Sequence, residues 1–144
     1  MEGVEATKQI VQRYVDAFNH GDVDKMLSVC APGAQVHGVL GWGGMNEAAP
    51  VWRELHDAFG LKLTVEEMVA EGNRVAVRYR ESGQFARPFR GHAPTGKAFE
   101  HVGMEWFDVQ DGRIQRRWNA RLRVARETNA VDNSPDAGLY LHRT

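Results

Sequence analysis

Cysteine is almost missing from this 144-residue chain. Cys30 stands alone, which excludes an intramolecular disulfide framework. An excess of one charge is missing as well: 18 Lys and Arg face 19 Asp and Glu, leaving a net charge of −1. No basic surface for nucleic acid and no strongly charged surface for lipid is expected from that balance. The six histidines (His20, His37, His56, His92, His101, His142) show no ligand-like spacing, so neither a metal nor another cofactor is expected. No apolar run approaches membrane-spanning length. The start "MEGVEATKQ" lacks the basic region and apolar stretch of a secretory leader. Repeats and low-complexity tracts are absent too. A soluble cytoplasmic protein with no membrane or nucleic-acid partner is expected, long enough for one domain with a real core.

What is present changes character halfway along. In "ATKQIVQRYVDAFNHGD" the residues Ile10, Val11, Tyr14, Val15 and Phe18 recur at helical spacing. Gly21 stops that helix by taking a left-handed conformation. Asp22 then caps a short second helix, "VDKMLSVC", which Pro32 and Gly33 end. "AQVHGV" reads as a short strand and "GWGGMN" as a flexible link. A third helix, capped by Asn46 or a neighbour, runs through Phe59 with Trp52, Leu55, His56 and Phe59 on one face.

The second half reads as strands. "LKLTVEEMVAE" and "RVAVRYRESGQF" flank a Gly72-Asn73 turn, and the second alternates Val75, Val77 and Tyr79. Arg74, Arg78 and Arg80 on that strand form a solvated face. "ARPFRGHAPTG" has no period and is a loop. Two strands then flank Asp111-Gly112 in "HVGMEWFDVQDGRIQRRWNARL". Helices first and strands later predict an α+β domain, with helices over a curved antiparallel sheet that leaves a conical pocket. The domain spans residues 1–123, and 124–144 form a polar tail with an apolar knot at Leu139, Tyr140 and Leu141.

The hairpin allows two registers. A two-residue turn pairs Gln110 with Arg113, sets Glu105 opposite Trp118 and sends Asn119 to the other face. A three-residue loop with a bulge at Gly112 pairs Val109 with Arg113 and sets Glu105 opposite Arg117 and Gly103 opposite Asn119. In the bulged form His101, Gly103, Glu105, Arg117 and Asn119 share one face, and Met104, Trp106, Ile114 and Trp118 the other. One residue of slip exchanges the faces.

The stretches "AEGNRVAVRYR…GHAPTGKAFEHVGMEWFDVQDGRIQRRWN" and "ATKQIVQRYVDAFNHGDVDKMLSVCAPGAQVH" resemble the SnoaL-like polyketide cyclases of the nuclear-transport-factor-2-like superfamily. The resemblance covers roughly four fifths of the chain. It implies a cone-shaped α+β barrel, no metal, and ring closure on a polyketide-type intermediate. It places the family's acid/base aspartate at Asn119, a pocket histidine at Glu105 and a further polar pocket position at Arg117. That set shares a face only in the bulged register, which is therefore the expected one. Asn119 cannot transfer protons at neutral pH, so the family's aldol mechanism does not carry over unchanged.

These readings nominate Glu105, His101, Asn119 and Arg117 as catalytic or substrate-orienting residues. A carboxylate in an apolar pocket can act as acid or base. The plainer role for Glu105 and Arg117 is a cross-strand ion pair. His101 offers a donor or base, and Asn119 a hydrogen bond to a carbonyl. Tyr14, Phe18, Trp52, His56 and Phe59 are candidate walls for an apolar small-molecule substrate, with Gly103 beside them; their plainer role is core. Trp42, in a Gly-rich link, is a candidate lid. Trp106 and Trp118 on the outer face, with Met104 and Ile114, predict a homodimer through the sheet, and homodimers are common in the resembling superfamily. The expected function is a cofactor-independent cyclase, with cycloaddition or epoxide opening as plausible as aldol chemistry. The alternatives are a small acid/base isomerase or epoxide hydrolase of the same fold, and a non-catalytic binding module.

Overall fold

The computed structural model describes residues 3–38 and 41–122. The polar tail 124–144 lies outside the described residues. Helix α1 (Val4–Asn19) turns Val11, Tyr14, Val15 and Ala17 inward. It ends at His20, with Gly21 left-handed at φ 69° as helix-stop chemistry requires. The Asp22 side chain accepts the Lys25 N–H at 3.1 Å and starts α2 (Val23–Ser28). Strands β1 (Cys30–Gly38) and β2 (Gly41–Gly44) follow, then α3 (Met45–Phe59). The rest is sheet: β3 (Lys62–Glu71), β4 (Arg74–Gln84), β5 (Ala98–Gln110) and β6 (Arg113–Arg121), in the spatial order β2-β1-β6-β5-β4-β3. The helices lie on one face of this sheet: α1 meets β3, β4, β5 and β6, and α3 meets β1, β2 and β4.

The α+β class and the helix-over-sheet layering agree with the sequence reading. Other expectations are corrected. The sheet is mixed rather than antiparallel, because β1 runs parallel to β6, and it is open between β2 and β3 rather than closed as a barrel. That pairing joins strands some 80 residues apart in sequence, with β2, α3, β3, β4 and β5 between them, and no local pattern reports it. Pro32 and Gly33 sit inside β1 instead of ending α2. "GWGG" is a strand: Gly41–Gly44 pairs with Gln35–Gly38 despite the poor strand propensity of glycine. The glycines admit close packing, since a Cβ on Gly43 would lie 3.2 Å from the Glu47 side chain. Gly44, not Asn46, occupies the cap of α3, without a side-chain bond.

The hairpin adopts neither predicted register. Asp111 (φ 52°) and Gly112 (φ 74°) make a two-residue turn that pairs Gln110 with Arg113. The bulge falls further along β6. Val109 pairs with Ile114 but Asp108 with Arg116, so Gln115 is the extra residue. That insertion turns both Ile114 and Arg117 inward, three positions apart. Beyond it Phe107 faces Arg117, Trp106 faces Trp118, Glu105 faces Asn119 and Gly103 faces Arg121. The predicted faces for Glu105, Arg117, Asn119, Trp106 and Trp118 therefore hold. Ile114 is corrected to the core, 1% exposed, because it precedes the bulge.

The main core joins α1, α2 and α3 to the sheet around Tyr14, Met26, Val75 and Phe107. A smaller aromatic cluster, Phe59, Phe85, Phe89 and Phe99, closes the far end of α3.

Candidate functional site

The sheet's inner face changes from apolar to polar along its strands. On β4 the inward alternation runs Val75, Val77, Tyr79, Glu81; on β6 it runs Arg117, Asn119, Arg121. Between this polar end and the helices lies a cavity of about 180 Å³, more than ten times what one water needs. Tyr14 and Phe18 of α1, Ala48, Val51, Trp52 and Leu55 of α3, Val36 of β1 and Leu63 of β3 form its apolar walls. Glu81, Glu105, Arg117, Asn119 and Arg121 form its polar floor, and the backbone at Gly38, Gly41 and Gly43 borders it.

Glu105 is 4% exposed and receives three donors. The Tyr79 hydroxyl donates to Oε1, and Arg117 Nη1 and Asn119 Nδ2 (the latter at 3.2 Å) donate to Oε2. Burial raises the Tyr79 phenol well above its usual range, and the Glu105 charge and hydrogen bond add to that, so Tyr79 stays a donor. Burial works against the Arg117 charge, but the facing Tyr14, Glu105 and Tyr79 outweigh it and hold the guanidinium cationic. The Arg117 guanidinium also lies over the Trp52 indole, 5.9 Å from the ring centroid.

A second carboxylate sits two positions beyond Tyr79. Glu81, 3% exposed, accepts Arg121 Nε at 2.6 Å and Nη2 at 3.2 Å, and bonds His101 Nε2 at 2.6 Å. Burial alone would raise its pKa; Arg121 and the His101 contact outweigh burial and lower it to about 2. His101 lies directly across from Glu81 in the β4–β5 pairing and stacks on Phe99 at 5.7 Å.

The structure thus brings Glu105, Arg117, Asn119, Tyr14, Phe18 and Trp52 to one cavity. His101 reaches the cavity floor only through Glu81. Phe59 belongs to the aromatic cluster. His56 packs against Gly21, where a Cβ would lie 2.5 Å from its ring. Gly103 is buried beside the Tyr79 ring, with its Cβ position 3.7 Å away. The expectation for Trp42 as a lid concerns a side chain outside the described ones. Sequence reasoning passed over Tyr79 as a donor, and Glu81 and Arg121 altogether. The signal was available: one more step of the alternation Val75, Val77, Tyr79 reaches Glu81, and one more step past Asn119 reaches Arg121.

Among the described residues no group of three or more His, Cys, Asp or Glu side chains is placed to hold a metal ion, and no helix is long and apolar enough to cross a membrane. The family model for the SnoaL-like domain matches residues 11–117. Among solved structures, a proposed polyketide cyclase from Xanthomonas campestris is 29% identical. The match covers 80% of this chain and 89% of that one, with a TM-score of 0.72. IdmH of Streptomyces antibioticus, also a proposed polyketide cyclase, is 26% identical over 80% of this chain and 91% of its own, with a TM-score of 0.72. AclR of Streptomyces galilaeus, a proposed hydroxylase, shares the fold at a TM-score of 0.78 and 20% identity, covering 92% of this chain and 100% of that one. No curated protein matches the chain.

Proposed function

Since this chain belongs to the SnoaL-like domain family, we propose that it is a cofactor-independent cyclase that closes a ring on a polyketide-type intermediate by positioning. The observation that carries this reading is the three-donor engagement of Glu105 on the polar floor of a cavity with apolar walls. Tyr79, Arg117 and Asn119 occupy three of the roughly four lone-pair sites of that carboxylate, which leaves little of it to meet a substrate. The position that would hold an acid/base is Asn119, which donates a hydrogen bond instead. What remains is a shaped cavity that folds a flexible chain so that its reactive ends meet. Orientation of that kind supplies up to roughly 7–11 kcal/mol of barrier reduction in favourable cases. Cycloaddition and epoxide-opening closures fit such a site as well as aldol closure does.

The reading also includes a homodimer. Val69, Ala76, Trp106, Trp118 and His37 are successive cross-strand partners over five strands, with His37 stacked on Trp118 at 5.4 Å. Val69, Met104 and Trp106 on this outer face are 55%, 51% and 44% exposed. A second copy offers the same apolar row to itself by two-fold symmetry. Trp106→Ser should convert a dimer to a monomer in sedimentation at micromolar concentration; a wild-type monomer there would refute the assembly.

The enzymatic test is incubation with linear, oxygenated polyketide-type chains, followed by chromatography for a cyclised product. A protein-dependent ring product, lost when Trp52→Ala opens the cavity wall, is expected. Tight binding without any turnover across such substrates would favour a binding module.

A further inference from the structure

Three glycines border the cavity, and the fold accounts for two of them. Gly41 has φ 111°, a conformation that side chains rarely adopt. Gly43 lies against α3, where a Cβ would come within 3.2 Å of the Glu47 side chain. Gly38 meets neither condition. It pairs with Gly41 at the end of the β1–β2 hairpin without a positive φ, and the register shift of β1 lies earlier, before Gln35. A Cβ on Gly38 would find only ordinary contact distances, 3.5 Å to Arg117 Nη2 and 4.0 Å to the Gly41 carbonyl oxygen. Glycine weakens a strand, and where no bulge or bend needs it, it often marks the close approach of a ligand. The atom laid bare by this gap belongs to Arg117. Its guanidinium gives Nη1 to Glu105, and its Nε is fully buried. Nη2 bonds no described residue and is not among the fully buried atoms. The Arg117 side chain is 10% exposed, and Arg117 and Gly38 both line the cavity.

We propose that Gly38 is a specificity-determining position: the bare backbone there keeps Arg117 Nη2 open to a carbonyl or enolate oxygen of the substrate, at the β1 edge of the cavity. The assignment rests on the cyclase reading only in taking the cavity as the substrate site. It adds which edge of the cavity receives an oxygen and which position controls access to it. A guanidinium N–H suits such an acceptor, and hydrogen bonds to charged groups are the stronger kind. An alanine at position 38 would set a methyl group against that nitrogen and cover it, without backbone strain.

The test uses acetophenone labelled with carbon-13 at the carbonyl, and α-methylstyrene, which has the same shape with a methylene in place of the oxygen. In wild-type protein the carbonyl carbon of bound acetophenone should resonate downfield of its position in hydrocarbon solvent, the signature of a hydrogen bond accepted by the ketone. Gly38→Ala should abolish that shift. It should also weaken acetophenone binding about tenfold relative to α-methylstyrene, as loss of one hydrogen bond to a charged group implies. Gly38→Ala should melt at or above the wild-type temperature, because alanine restricts the unfolded chain and meets no clash in the folded one. Retention of the shift in Gly38→Ala, an unchanged ratio of the two affinities, a clearly lowered melting temperature, or no binding of acetophenone at millimolar concentration would each overturn the proposal. Neither probe can cyclise, so these outcomes are independent of whether the protein closes rings.

Discussion

Glu105 and Glu81 are both buried carboxylates on the inner face, each paired with an arginine of β6, yet they are held differently. Glu105 receives a guanidinium, a phenol and an amide, and lies among the walls of the cavity. Glu81 receives a guanidinium and an imidazole, and borders the aromatic cluster through His101 and Phe99. The lesson is that one inner face carries two carboxylate clusters, one set among the cavity walls and one tied to the neighbouring aromatic packing. The first is the better platform for holding a substrate in a fixed pose.

The largest effect that would sharpen this comparison is loss of the single guanidinium of Glu105. Arg117→Ala strands a buried carboxylate and should cost about 3–5 kcal/mol in urea unfolding. Arg121→Ala should cost less, because His101 still bonds Glu81. Equal losses would erase the distinction.

Next in size is the pH dependence of Glu81. Its folded pKa of about 2 lies below the ordinary 4.5. Its contribution is therefore fully present above pH 4.5 and is lost as pH falls through about 2. The whole contribution is on the order of 3 kcal/mol. Unfolding free energy followed from pH 5 to pH 2 should show this decline, and Glu81→Gln should flatten it. An equally steep decline in Glu81→Gln would assign the slope to other carboxylates.

The smallest effect concerns Asn119. Its 3.2 Å bond to Glu105 is one of three, so Asn119→Ala should cost about 1 kcal/mol in stability. A loss comparable with Arg117→Ala would make the amide a principal support of the cluster rather than its lesser member.

Much of this arrangement was legible in the sequence, for identifiable reasons. The alternation Val75, Val77, Tyr79 and the Asp-Gly turn are local signals, and the elements they predict are present. The inward set Glu105, Arg117 and Asn119 was correctly grouped through the family resemblance. The register that achieves it was not legible: tight turn and bulge are separated by two residues, and nothing local distinguishes a bulge at Gln115 from one at Gly112. The parallel β1–β6 pair depends on a long-range crossover. The wall role of Phe59 failed to materialise because helical spacing gives a residue's face but not its height along the axis. Phe59, one turn beyond Leu55, has already passed the cavity and entered the aromatic cluster.

The most direct test of the positioning account is kcat for Glu105→Gln beside Trp52→Ala on one cyclised substrate, each measured on folded protein. The account predicts that Glu105→Gln, which keeps a carbonyl for Arg117 and Tyr79, loses about tenfold or less, while Trp52→Ala loses on the order of 10²-fold through misplacement of the reacting ends. A Glu105→Gln variant of near-normal stability that loses activity towards the 10⁴-fold end of the acid/base range, with Trp52→Ala affected less, would contradict it.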